Sequence, residues 1–370
     1  MSSQTSNPAA VTKVARGTVD QLEERITAWL SSRIPDLKDA YVVGLRSSDT
    51  SGLSGETYVV ELQNGDAAAP DKLVIRKDVT ENQTNPQSSF ANLVLIQTAL
   101  GGVRGLPIPR VLGVETASDA IGAPFLVMEY VEGDVPSDVP SYATAGFVYD
   151  ATVEQRRRMW QSGIDFLVQL HRIDWRDYEL GELRFDFPGD TEFDRCVSHA
   201  LSMFRAEAKG RTVPICEHAI AWLLTNQPPN QPESICWGDA RIGNMIWRGF
   251  DCVAAIDWEM CSLGSPAVDL GWWSFFHRWS TFGQGSPDLD GLCVGQPLAD
   301  LYEARGGVHI DNFRYFEVLA AVRGLSIWLR TYQAMCSAGA LPADMDPLDE
   351  SIHMIRVLRA LMPEFATSSG

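Results

Sequence analysis

Positive charge is scarce in this chain. Its 370 residues carry 30 Lys and Arg against 48 Asp and Glu, a formal net charge of −18 at pH 7. Phosphate backbones are held by clustered Lys and Arg, so this balance argues against nucleic acid as a partner. Long apolar runs are also missing. None reaches the roughly 18 residues of a membrane span, and the opening "MSSQTSNPAAVTKVARG" has no apolar block of the secretory kind. A cytoplasmic protein with no membrane partner is expected. The seven cysteines include no Cys-x-x-Cys pair, and the six histidines are equally dispersed. Neither a disulfide framework nor a zinc site is predicted. No Gly-x-Ser-x-Gly occurs, which removes the serine-hydrolase elbow.

What remains is 45% hydrophobic, enough for a large core in two lobes. Residues 1–16 are small and polar and read as a flexible tail. "TVDQLEERITAWLSSRI" has helical apolar spacing. "AYVVGLRSS", "ETYVVEL" and "KLVIRKD" are short runs rich in β-branched residues between turn residues, the pattern of successive antiparallel strands. A Ser-capped helix over "SSFANLVLIQTAL" and two strands, "RVLGVET" and "PFLVMEYV", complete an N-terminal lobe at 17–132. From 133 to 370 the spacing is mostly helical, interrupted by the short apolar pieces "ICWGD", "MIWRG" and "CVAAIDW". The predicted class is α+β, with a small antiparallel sheet lobe, a hinge, and a larger, mainly helical lobe.

Those interruptions hold the chemistry. In "ICWGDARIGNMIW" Asp239 and Asn244 share a tight segment containing Gly238 and Gly243, and "VAAIDWEM" then brings Asp257 and Glu259. An Asp and an Asn on one loop, with another Asp on a following strand, suit phosphoryl transfer. One carboxylate orients the attacking hydroxyl and accepts its proton, while an amide oxygen and a second carboxylate hold Mg²⁺ on nucleotide phosphates. Hard oxygen ligands suit magnesium, and an apolar frame strengthens fixed charge by excluding water.

"WGDARIGN" resembles the His-Gly-Asp-x-x-x-x-Asn catalytic loop, and "IDWE" the metal-binding Asp segment, of the aminoglycoside phosphotransferase and choline kinase family, relatives of protein kinases. "SGETYVVEL", "LVIRKD", "IPRVLGV", "PFLVMEYVEGD", "LHRIDW" and "LGSPAVDLGWW" are similar to further segments of that family, in order. The likeness runs from about Thr57 to Trp273. It extends to bacterial proteins assigned to the aminoglycoside phosphotransferases and to the kinase-like domain of some acyl-CoA dehydrogenase family proteins. The resemblance implies a bilobal protein-kinase-like fold and a phosphotransferase using ATP or GTP with Mg²⁺ on a hydroxylated small molecule. The acceptor could be aminoglycoside-like, macrolide-like or a hydroxyacyl derivative.

By the same resemblance Asp239 is the catalytic Asp, and Asn244 and Asp257 are metal ligands, with Glu259 a further metal candidate. The backbone at Glu129 and Val131 would bond adenine and Met128 would line its pocket. Ser54 and Gly55 would approach phosphates. The strand's phosphate-binding cation is Arg76 or Lys77, with alternation favouring Arg76. Trp272, Trp273, Phe276 and Trp279 are candidates for an acceptor wall, and Asp269 for bracing the loop. His171, in "LHRIDW", reads as a packed helix-end residue. The C-terminal "PADMDPLDESIH" offers Asp344, Asp346, Asp349 and Glu350 to a polycationic acceptor. Two departures stand out. Trp237 occupies the loop's His position, and the helix expected to pair a Glu with the strand cation has none, Asn92 being its nearest polar residue. They leave a second reading open: a nucleotide-binding pseudokinase or scaffold.

Overall fold

The structure is a computed structural model describing residues 16–47, 55–64, 69–78, 89–211, 213–342, 345–349 and 351–368. Ser54, Asp344 and Glu350 lie outside the described residues. The chain divides into two compact units, 1–79 with 112–130, and 80–111 with 131–370. The helix over "FANLVLIQTAL" thus groups with the second unit, although the sequence suggested the first.

The first unit opens with α1 (Arg16–Arg33) and continues with β1 (Tyr41–Ser47), β2 (Gly55–Gln63), β3 (Lys72–Asp78), β4 (Val111–Glu115) and β5 (Phe125–Glu129) in one sheet of order β1-β2-β3-β5-β4. The β1–β2, β2–β3 and β3–β5 pairs are antiparallel. Leu22, Ile26, Trp29 and Leu30 recur at helical spacing on α1 and meet Leu73, Ile75, Phe125 and Val127 in the core. Strand side chains alternate between faces. Lys77 therefore shares the core face of Leu73 and Ile75. Arg76 lies on the opposite face with Val74, which pairs across to Met128.

The second unit is mainly helical. Its α2 (Phe90–Leu100) is capped by Ser89, whose Oγ accepts from Asn92 N. It is anchored by Ser89 N donating to Glu259 O at 2.9 Å and by Cys261 Sγ against Asn92 O at 3.7 Å. After α3 (Phe147–Asp150), α4 (Val153–His171) and α5 (Glu192–Ala208) each start with a capping box, Thr152 with Gln155 and Thr191 with Asp194. Pro214 opens α6 (Pro214–Thr225). The short strands follow: β6 (Ser234–Cys236), β7 (Met245–Arg248), β8 (Asp251–Ala255) and β9 (Ser262–Gly264), paired β6–β9 and β7–β8. Then come α7 (Pro266–Ser280), α8 (Gln296–Ala304), α9 (Phe313–Ser337), α10 (His353–Leu361) and α11 (Pro363–Ser368).

Helix α9 is the centre of this unit, touching α5, α6, α7 and α10. Gly271 lets α7 approach it closely, since a Cβ there would sit 2.5 Å from Phe316 O. That contact sets the spacing of side chains beneath the site. No helix among the described residues is long and apolar enough to cross a membrane. All seven cysteines are unpaired thiols; burial pushes those of Cys196, Cys216 and Cys252 up to about 12, so they stay protonated, Cys196 and Cys216 as core fillers.

Candidate active site

The loop Trp237–Asn244 leaves β6 and enters β7, and buried side chains fix it from below. Asp269, in the first turn of α7 and 0% exposed, accepts from Trp237 N at 2.7 Å and Gly238 N at 2.8 Å. His171 Nε2 lies 3.1 Å from the same carboxylate, and its Nδ1 meets Tyr302 OH at 2.9 Å. This histidine is structural and never reaches Asp239. Gly238 has φ +88°, and a Cβ there would stand 1.9 Å from Met260 O, so only glycine fits.

Trp237 does by its side chain what the sequence left undecided. Its Nε1 donates to Ile256 O at 3.0 Å, while Ile256 N donates to Asn244 O at 2.9 Å. Both polar backbone groups of the residue before Asp257 are thus held by the Trp237–Asn244 loop. Asp257 itself has φ +61°, a left-handed conformation that costs a non-glycine residue of order 1 kcal/mol and is more accessible to Asp than to most.

Asp239 is 13% exposed at its side chain and receives three donors. Trp272 Nε1 lies 2.6 Å from Oδ1; Asn244 Nδ2 lies 2.6 Å and Arg241 Nε 3.2 Å from Oδ2. Burial pushes this carboxyl up. The Arg241 charge and the Trp272 and Asn244 hydrogen bonds outweigh it, holding the group below the usual Asp range and ionised. Arg241 Nη1 also donates to Asp138 at 2.7 Å, and its guanidinium lies 4.8 Å from the Phe276 ring. Burial lowers Arg241, but Asp239, Asp138 and Asp257 together raise it.

Asn244 commits its amide nitrogen to Asp239 O and Oδ2, so its amide oxygen is the atom available to a cation. Glu259 is 4% exposed, and its carbonyl holds α2. Among the described residues no three His, Cys, Asp or Glu side chains form a metal cage. Magnesium needs none: it is commonly held by one or two protein oxygens plus substrate phosphates, and Asn244 and Asp257 fit that pattern.

The aromatic run does not form one open wall. Trp272 and Trp273 are 2% and 1% exposed. Trp272 borders a recess of about 20 Å³, one water in size, together with Gly238, His199, Phe316 and Arg323. Trp273 and Phe276 border a second one with Asp138, Arg241 and His277. Trp279 touches Phe276 at 5.2 Å between ring centres. The reason is helical geometry: consecutive residues on α7 point about 100° apart. Of the described C-terminal acids, Asp346 accepts from Leu348 N and Asp349 from Ser351 N.

In the first unit, Arg76 donates to Thr57 Oγ1 at 2.6 Å and Lys77 pairs with Glu56 at 3.0 Å. Arg76 and Met128 share one sheet face; Glu129 ends β5, Gly55 begins β2, and Val131 belongs to the second unit. Sequence reasoning missed Arg241, Asp138 and Arg323. A cation two residues beyond an Asp in an apolar frame was a visible signal for the first. The other two reach the loop from 103 and 85 residues away.

The phosphotransferase enzyme family (APH) profile matches residues 47–306. Acyl-CoA dehydrogenase family member 11 of Mus musculus is 26% identical over 329 residues, covering 84% of this chain and 40% of that protein. Member 10 of the same organism is 26% identical over 86% of this chain and 29% of that protein. The chain thus spans well under half the length of these relatives. Among solved structures, a Ralstonia eutropha protein proposed as an aminoglycoside phosphotransferase superposes with a TM-score of 0.69 at 19% identity, covering 92% of this chain and 98% of that one. The macrolide 2'-phosphotransferase MphH of Brachybacterium faecium superposes with a TM-score of 0.56 at 13% identity, covering 92% and 98%. The α+β protein-kinase-like fold expected from the sequence is the fold found, and the chain belongs to the phosphotransferase enzyme family.

Proposed function

We propose that the chain is a kinase that moves the terminal phosphate of ATP, or GTP, to a hydroxyl of a small molecule. The observation that carries this reading is Asp239, ionised and aimed by three donors, beside Asn244 and Asp257 tied to one another through Ile256. Asp239 would orient the acceptor hydroxyl and take its proton. Asn244 Oδ1 and Asp257 would hold Mg²⁺, with Glu259 behind them, and the metal supplies charge neutralisation on the phosphates. Arg76 and the backbone at Gly55 would serve the phosphates, and Met128 with the backbone of Glu129 and Val131 the base.

The acceptor reading leans away from a polycation. Asp346 and Asp349 cap their own turns, and the residues around Asp239 include two guanidiniums, Arg241 and Arg323. A macrolide-like or hydroxyacyl acceptor is favoured over an aminoglycoside. A screen of hydroxylated acceptors with nucleoside diphosphate release as readout tests this. Asp239→Asn should lower turnover by about 10²–10⁴-fold while nucleotide binding persists; full activity in that variant would end the assignment.

A scaffold reading has one observation behind it: α2 carries no acid, and its first turn is tied to Glu259 and Cys261. Nucleotide binding that ignores Mg²⁺, with no turnover on any acceptor, would favour it.

A further inference from the structure

We propose that Oδ1 of Asp239 is the atom that takes the acceptor's proton, and that Trp272, carried on Arg323, is the positioning residue that aims it. The identity of the base rests on the kinase reading above; the choice of atom rests on geometry. An ionised carboxylate offers about four lone-pair sites, two on each oxygen. Oδ2 has both filled, by Asn244 Nδ2 at 2.6 Å and Arg241 Nε at 3.2 Å. Oδ1 has one filled, by Trp272 Nε1 at 2.6 Å, and keeps one for a hydroxyl. An indole N–H only donates. Trp272 therefore cannot compete for the proton; it fixes the carboxylate's rotation and favours its ionised form.

Trp272 is itself held. Its ring lies 4.5 Å from the Arg323 guanidinium, and Arg323 Nη1 donates to Gly238 O at 2.8 Å. The carbonyl before Asp239 and the carboxylate of Asp239 thus depend on one indole–guanidinium pair, supplied by α7 and α9. In the reaction the acceptor O–H bond breaks and its proton passes to Oδ1. The oxygen bonds the terminal phosphorus, and the bond to the nucleoside diphosphate breaks with its electron pair leaving on the diphosphate. The charged groups bearing on Asp239 are Arg241 from its own loop and Arg323 from α9. Asp138 and Asp257 act through Arg241, and Asp269 through Arg323.

The test uses the full chain labelled with ¹⁵N at tryptophan. The indole resonance absent from Trp272→Phe belongs to Trp272. In the wild type it should lie downfield and move upfield in both Asp239→Ala and Asp239→Asn. An indole resonance that ignores both substitutions overturns the proposal, and Asp239→Asn decides alone if Asp239→Ala fails to fold. With an active acceptor, Trp272→Phe should lower kcat between about tenfold and a hundredfold, the worth of one hydrogen bond to a charged group. KM for nucleotide should hold, and the acid limb of the pH profile should move up. An unshifted acid limb rules out the positioning role. Should the wild type turn over no acceptor, the kinase reading fails and the base role with it, while the indole result still reports the contact.

Discussion

In the Trp237–Asn244 loop Asp239 is held by donors from Asn244 and Arg241 of the loop and from Trp272 of α7, and the loop rests on Asp269 and Arg323, residues 31 and 85 positions from Gly238. In β3 the charged pair is served by its neighbours on β2: Arg76 by Thr57, and Lys77, 24% exposed at its side chain, by Glu56. The loop is a desolvated polar network fixed by distant chain. The strand's two cations are half-buried, each paired with a neighbour on β2. Buried networks of this kind fail as a unit when one member is removed, whereas exposed pairs contribute at most about 1 kcal/mol and leave the fold unchanged when broken. Substitutions in the loop should therefore cost fold and chemistry together, and those in the strand only binding.

The sharpest way to break that contrast is at Asp269. Asp269→Asn leaves the Trp237 and Gly238 amides poorly met and should destabilise the fold by roughly 3 kcal/mol. That corresponds to a fall of roughly 6–12 °C in thermal midpoint for a unit of this size, with turnover lost as well. An unchanged midpoint would mean the loop holds itself. In the strand, Arg76→Met should weaken MgATP binding about tenfold, as expected for one charge-assisted phosphate contact. Lys77→Met should change it by less than about threefold, and neither should move the midpoint by more than about 2 °C. The reverse order would place the phosphate contact on Lys77.

The smallest effect is one of pH. All six histidines fall in the second unit, and residues 1–79 and 112–130 have none. Burial holds His199 and His277 down at about 4 from 6.5, with Arg323 adding to the effect at His199. The unfolded chain then binds more protons than the fold between those values, so stability falls as pH drops from about 6.5 towards 4. Each should cost on the order of 1 kcal/mol by pH 5. Exposed His309, raised by Glu303 and Asp311, works the other way. Hydrogen exchange should show the second unit loosening in this window before the sheet, and His199→Phe should reduce the difference.

The comparison also explains what the sequence could show. Asp239, Asn244 and Asp257 could be singled out as candidates because short loops fix their spacing, and the strands of the sheet were legible because alternation fixes their faces. Asp269 was readable from its place at a helix start. The donor role of Trp272 was not. Its partner is fixed by the approach of α7 to α9, for which Gly271 is the sole local hint, and a tryptophan in an aromatic run reads equally as wall or core. Trp237 was visible as a departure, but that its indole would reach Ile256 O depends on the turn between β8 and β9. The sequence carries residue types; the pairing of distant helices arises only in the folded chain.

The most direct test of the central claim is a calorimetric titration of ATP into the full chain with and without Mg²⁺, repeated on Asn244→Ala and Asp257→Ala. Metal-dependent binding in the wild type, lost in Asp257→Ala and weakened in Asn244→Ala, is the predicted result. ATP binding equally tight without Mg²⁺ and untouched by either substitution would contradict it.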